Sequence, residues 1–281
     1  MGESAPINGG TQAVFLEVGA WCGDSNDDAI WTYGATCSAA SGNMFKVTNA
    51  LEWYMHGAEV HAIASLPGVQ VRPTTAEQQT FLIVATTSNS ADHANNASTA
   101  GTNWSTAIYD EMFEYATVLN DFNFRNGYPV RFGVLGGADM EEQWSPQTAP
   151  LQFAQGFGNG QPLDFIDNGY YANSCASSTC WNTADTYGWT AHIKYDIDWN
   201  LPNDYGMPQI YNTSWPAPYN DLDLAAESAG TTAVSWAGTF WGCGVGGSEH
   251  SPDQAWADFA NATGQRVGLS TSMDNEDHTC R

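Results

Sequence analysis

Pro129-Val130-Arg131-Phe132-Gly133-Val134-Leu135 runs directly into Gly136-Gly137-Ala138-Asp139-Met140-Glu141-Glu142-Gln143-Trp144, and this stretch sets the fold class. Its first seven residues read as a strand, and the three small residues that follow deliver a group of carboxylates at the strand's C-terminal end. Immediately upstream, Ile108, Met112, Tyr115, Leu119 and Phe122 recur every three to four residues and stop at Asn126-Gly127. That spacing predicts an amphipathic helix with a glycine stop. Before the helix, Thr80-Phe81-Leu82-Ile83-Val84-Ala85 is short, apolar and β-branched, which suits a strand buried on both faces of a parallel sheet.

The same order extends outward in both directions. A first strand is expected over residues 13–18, before the polar loop at 23–28, and a helix over residues 44–66. Further strands are expected over 191–197, 207–211 and 233–241. Ser251-Pro252 then opens a last helix through Ala255, Trp256 and Phe259 that stops at Gly264. Repeated strand–helix–strand units over 281 residues predict an α/β fold, a single (β/α)8-type TIM-like barrel of regular or irregular closure. No linker or repeat divides the chain, so residues 1–10 are expected to be a flexible N-terminal segment and 11–281 one barrel domain. No Gly-x-Gly-x-x-Gly follows the first strand, which disfavours a dinucleotide-binding sheet.

Charge narrows the partners. Thirty-one acidic residues face seven basic ones, for a formal charge of -24. A nucleic acid would be repelled where Lys and Arg are needed, and an anionic membrane surface likewise. The excess comes from missing lysine, since only Lys46 and Lys194 occur and charged residues are just 14% of the chain. With 42% hydrophobic residues there is material for a core, and no apolar run reaches the ~20 residues of a membrane span.

Six cysteines with few lysines and many Ser, Thr and Asn suggest an exported, oxidised protein. Met1-Gly2-Glu3-Ser4-Ala5-Pro6 carries no signal-peptide pattern and is read as the start of a mature chain. Sequence proximity favours Cys22 with Cys37 and Cys175 with Cys180, leaving Cys243 with Cys280, among the 15 possible connectivities.

In a barrel, chemistry collects at the C-terminal ends of the strands. Side chains two apart on a strand point the same way, ~7 Å between their α-carbons, so Asp139 and Glu141 are expected to share one cleft. Two carboxylates in a partly desolvated cleft divide into acid and base, as glycosidic cleavage requires; the alternative is a pair of solvated loop carboxylates. Glu17 on the first strand and Asp196, with Asp198 two residues on, are further strand-end acids. Trp144, Trp199, Trp215 and Trp241, with Tyr211, could present flat faces to sugar rings, or could simply pack loops and helices. No metal is assigned to the six histidines, and no cofactor is expected. Asp24-Ser25-Asn26-Asp27-Asp28 starts like a calcium loop but has Ala29 where the turn needs Gly, so a structural Ca²⁺ there, or near Asp221 and Asp223, would be a partial site.

Gly137-Ala138-Asp139-Met140-Glu141 with Trp144, Tyr187-Gly188-Trp189 with a strand after it, Pro208-Gln209-Ile210-Tyr211-Asn212, and Gln254-Ala255-Trp256 follow one another in an order that resembles secreted bacterial glycoside-hydrolase-like barrel proteins. A looser similarity is to lysozyme-like barrels with an Asp-x-Glu at a strand end. The resemblance implies a barrel more strongly than a reaction. It casts Glu141 as the acid and Asp139 as the carboxylate that orients or stabilises, while this chain differs in having Glu142 adjacent and Glu17 where those barrels have Asp. The expectation is a secreted glycoside hydrolase acting on a neutral polysaccharide or cell-wall glycan. The alternative is a non-catalytic extracellular barrel serving carbohydrate binding or surface assembly, with self-assembly open.

Overall fold

The computed structural model describes residues 10–20, 78–87, 96–128, 130–143, 146–172, 175–242, 252–265 and 269–273. Five strands, β1 (Gly10–Ala20), β2 (Gln78–Thr87), β3 (Val130–Asp139), β4 (Phe165–Asp167) and β5 (Asp204–Gly206), lie side by side in chain order, all parallel. β6 (Gly238–Gly242) and β7 (Leu269–Met273) form a second parallel pair. The Ala237 amide donates to the Gly206 carbonyl at 2.9 Å, joining the approach to β6 onto β5, and β7 runs beside β1. The fold is thus α/β with parallel strands, as the sequence predicts.

Register explains the two cores. Ile83 of β2 faces Leu135 of β3 across the ladder, and both belong with Ala13, Ile166, Met207 and Tyr211 to one apolar cluster on the inner face. The alternate residues Leu82, Val84, Phe132, Val134 and Phe165 join the helices in the larger cluster on the outer face, as period-two side-chain alternation demands. Asp139 shares the inner face with Leu135 and Gly137.

The predicted amphipathic helix is present and longer than expected. α1 (Ala97–Ile108) continues through a π-helical turn, Tyr109–Phe113, into α2 (Glu114–Asn126), and Gly127 ends it with φ 71°, a left-handed cap that glycine adopts without a Cβ penalty. α3 (Thr148–Gly158) crosses α1 backbone to backbone. A methyl group at Gly101 would overlap the Phe153 carbonyl, and one at Gly156 would overlap the Ser98 carbonyl. Gly101→Ala and Gly156→Ala are each expected to lower stability by about 1–3 kcal/mol, read as a shift in the midpoint of urea unfolding; an unshifted midpoint in both would contradict this crossing.

Three expectations are corrected. Residues 191–197 are not a strand: Thr190 accepts from the Ile193 amide at 3.2 Å and caps the short helix α4 (Ala191–Tyr195), which runs into a π-helical turn, Asp196–Asn200. The alternation of Ala191, Ile193, Tyr195 and Ile197 imitates a strand, but the cap and the burial of Lys194 and Asp198, four residues apart on one helical side, decide for helix. The strand expected at 207–211 lies three residues earlier, at β5, and β6 starts five residues later than position 233. α5 (Pro216–Ser228) and α6 (Pro252–Thr263) complete the described helices, and Gly264, φ 72°, follows α6 as predicted. The helix expected at 44–66 lies outside the described residues.

Candidate functional site

β3 ends at Asp139, so Met140 and Glu141 are not strand residues, and the two-residue alternation invoked for Asp139 and Glu141 stops before it reaches Glu141. What places Asp139 is its own position on the inner face at the strand's C-terminal end. It is 9% exposed, and its Oδ1 accepts from Gln209 Nε2 at 2.9 Å. Met140 is buried and Glu141 half-buried. The Tyr170 phenol is raised from its ordinary pKa by burial and then by the charges of Glu142, Glu141 and Tyr187, which puts Glu141 within electrostatic reach of that ring. Tyr170 stacks on Trp215 at 4.0 Å between centroids, and Tyr211 packs on the other contact of Trp215 at 4.7 Å. Asp139, Gln209, Glu141 and this run of three rings form the candidate site.

The other sequence candidates separate. Glu17 is in register with Ala85 and, through it, with Gly137, two positions before Asp139 on β3. Asp196 lies on the π-helical turn, where Asn200 Nδ2 donates to it at 2.8 Å and His192 Nε2 stands 3.7 Å away; it is not a strand-end acid. Trp199 packs edge-on against Tyr205 at 6.2 Å, at the entry to the helix–sheet core rather than beside Asp139. Trp241 is a β6 residue, and Trp144 lies outside the described residues. The disulfide between Cys175 and Cys180 is present; Cys22, Cys37, Cys243 and Cys280 fall outside the described residues, as does the acidic loop 24–28. Asp223 is not available to a cation. Its oxygens accept from the Val234 amide at 3.0 Å, Trp236 Nε1 at 3.2 Å and Gln265 Nε2 at 3.1 Å, tying α5 to the β6 approach and α6.

Sequence reasoning missed the groups that hold the site in place. β4 is only three residues long, and Asp167 at its end is fully buried on the outer face. Asp167 Oδ1 accepts from the Met140 amide at 3.1 Å and the Gly169 amide at 2.9 Å, and its Oδ2 meets Tyr171 Oη at 3.2 Å. The same phenol lies 2.8 Å from Asp198 Oδ2. Asp198 rests on Gly206, where a Cβ would come within 2.9 Å of its Oδ1. Burial pushes Asp167 up to about 7, against the pull of the Gly169 and Met140 amides. It pushes Asp198 well above the carboxylate range, with the Asp167 charge adding to the effect. Asp204, on β5, has neither oxygen hydrogen-bonded and is pushed up to about 9, first by burial and then by Asp167 and Asp164. Asn168, in line with Asp139 through its amide bond to the Ala138 carbonyl at 3.0 Å, is fully buried with both side-chain polar atoms unpaired.

On the other side of the Asp139–Glu142 turn, Lys194 pairs with Glu142 and, at 2.9 Å, with Asp185. Desolvation outweighs Lys194 at Glu142 and raises its pKa. At the more open Asp185 burial also pushes upward, but the hydrogen bond and charge of Lys194 win and hold it low. A cavity of about 240 Å³ lies behind this trio, lined by Cys175, Cys180, Asp185, Thr186, Trp189 and Lys194 among others. It is smaller than the ~300 Å³ at which drug-sized ligand pockets begin, and Asp139, Gln209 and Trp215 do not line it. Among the described residues no group of three or more His, Cys, Asp or Glu is arranged to hold a metal ion, and no helix is long and apolar enough to cross a membrane. In comparisons with protein-family models, curated proteins and solved structures, the chain matches none.

Proposed function

We propose that this chain is a glycoside hydrolase built on a closed (β/α) barrel, exported, and acting on a neutral glycan. Closure is supported by the Ala237–Gly206 bond and by β7 running beside β1, which together bring the ends of the parallel order toward one another. The observation that carries the catalytic reading is Asp139. It is an acid at the C-terminal end of a central parallel strand, on the inner face, with Gln209 donating to it and a carboxylate two residues on. Held by the Gln209 donor on its Oδ1, Asp139 suits the role of stabilising an oxocarbenium-like charge or orienting water, and Glu141 that of protonating the leaving oxygen. The half-buried Tyr170 and Trp215, stacked on each other, are rings of the kind that stack on sugars, while Tyr211 is buried against Trp215 and backs them. Trp144 and Trp241 extend this proposal; Glu17, in register with Gly137, is a reserve carboxylate. The formal charge of -24 disfavours polyanionic glycans by like-charge repulsion.

The test is a reducing-end assay over a panel of neutral polysaccharides and peptidoglycan. Glu141→Gln is expected to lower kcat on the responsive glycan by about 10²–10⁴-fold with KM little changed. Equal rates for the two proteins would remove Glu141 from the chemistry. A wild type that is retained on an insoluble glycan and turns over nothing in the panel would favour the binding component instead.

A further inference from the structure

We infer that Asp167 is a positioning residue that holds the Asp139–Met140–Glu141 turn through the Met140 amide, and that it does so through a relay in which Asp198 carries a proton. The kinetic part of this inference rests on the hydrolase reading; the structural part does not.

Asp167 Oδ2 and Asp198 Oδ2 both lie within hydrogen-bond distance of Tyr171 Oη, at 3.2 and 2.8 Å, but a phenol has a single proton to give. The other contact needs a proton on a carboxyl group. Asp167 already accepts two backbone amides on Oδ1, which favours its ionised form. Asp198 has no such donors among its described contacts and faces the Asp167 charge. The consistent assignment is one proton held by the pair on Asp198, which meets both the Tyr171 oxygen and, directly, the Asp167 carboxylate; Tyr171 and Asp198 together steady Asp167, which accepts from Met140 and Gly169. The groups facing this pair come from every neighbouring element. Asp204 approaches from β5, and Tyr219 from α5, its Oη donating to the Gly169 carbonyl at 2.9 Å. Lys194 of α4 stands with its Nζ 5.2 Å from the Tyr171 ring centre and is engaged by Glu142 and Asp185. Its charge is thus already matched by two carboxylates, so a second negative charge on the Asp167–Asp198 pair would stand uncompensated in a buried site. Burial and mutual repulsion place the pair's titration above the carboxylate range. When the proton leaves Asp198, the phenol can satisfy only one of two repelling carboxylates, and the grip on Met140 weakens.

Hydrogen exchange of the Met140 and Gly169 amides reads this directly, with the Leu82 and Val134 amides of the sheet as reference for global opening. In the wild type, protection at Met140 relative to the reference is expected to fall between pH 6 and pH 9. Asp167→Asn is expected to lower it about tenfold at pH 6, and Tyr171→Phe, a milder deletion that keeps the ring, to lower it several-fold. Asp198→Asn, whose amide donates without titrating, is expected to make Met140 protection independent of pH. Protection at Met140 that ignores both pH and Asp167→Asn overturns the inference, whatever the enzyme assays show. On a glycan the wild type hydrolyses, Asp167→Asn is expected to lower kcat at least tenfold and leave KM within twofold. A KM change with kcat intact would show that Asp167 shapes the binding surface rather than the reacting turn, and would overturn the positioning role. Absence of hydrolysis altogether would remove the hydrolase reading and leave the exchange result to decide this one.

Discussion

Lys194→Met is expected to destabilise the protein by about 3–5 kcal/mol at pH 7, the typical loss when one partner of a buried ion pair is removed. Only two lysines occur in the chain, and this one is 5% exposed, its Nζ held by Glu142 and Asp185. Methionine keeps the length and apolar stem of the side chain, so packing changes little and the loss comes from charge. Glu142 would be left buried without its cation. Its pKa is already raised by desolvation with Lys194 opposing; without Lys194 it rises further, and the carboxyl takes up a proton rather than remain charged. The deficit is therefore expected to shrink between pH 7 and pH 5. Adding Glu142→Gln to Lys194→Met is expected to restore part of the loss at pH 7, since it removes the uncompensated charge. Urea unfolding of the wild type, Lys194→Met, Glu142→Gln and the double variant at both pH values checks all of this. A loss under 1 kcal/mol at pH 7, or one that grows toward pH 5, would mean that the Lys194 cluster is solvated and contributes as a surface pair does.

That cluster also shows what a sequence can and cannot display. β2 and β3 were legible because an uninterrupted apolar, β-branched run allows few alternatives, and the end of α2 was legible because Asn126-Gly127 closes an apolar period with a residue suited to φ 71°. Asp139 was found for the same reason: the strand that carries it is unmistakable. β4 was not, because three residues between Asp164 and Asn168 carry no measurable period. The buried carboxylates were the least legible part. A high count of acids in a polar chain reads as solvated surface, yet Glu142, Asp167, Asp198, Asp204 and Asp223 are buried. Burial of a single acid is a property of the residues that converge on it, and those come from β4, α4, β5 and α5, far apart in the chain. The remaining clue, two acids bracketing Phe165-Ile166 and then Asn168-Gly169-Tyr170-Tyr171, becomes readable only when a strand is known to pass there. For Glu141 the reason for its position changed. It is placed by anchors on either side, Asp167 on the Met140 amide and Lys194 on Glu142, and not by strand alternation.

The same buried acids give the protein an unusual dependence on pH. In the folded chain burial pushes Asp204 up to about 9 and Asp223 up to about 6, and the Asp167–Asp198 pair keeps a proton above the carboxylate range, whereas in the unfolded chain each returns to about 3.9. The folded state thus binds more protons than the unfolded state from about pH 4 to pH 9. Stability from these groups is fully present below the unfolded pKa and is lost as pH rises through the folded values. Self-repulsion at a formal charge of -24 acts in the same direction. The thermal midpoint is expected to be higher at pH 5 than at pH 8 by 10 °C or more, on the order of what several kcal/mol produce at ~2–4 °C per kcal/mol. Asp204→Asn isolates the largest contribution. The amide matches the carboxyl in shape and does not titrate. Because no hydrogen bond to either oxygen is lost, the variant is expected to be within about 1 kcal/mol of wild type at pH 4 and about 2–4 kcal/mol more stable at pH 8. Calorimetry of both proteins at pH 4, 6 and 8 measures the crossing. A wild type whose midpoint climbs toward pH 8, or an Asp204→Asn variant less stable than wild type there, would mean that Asp204 is charged in the fold and holds a compensating partner.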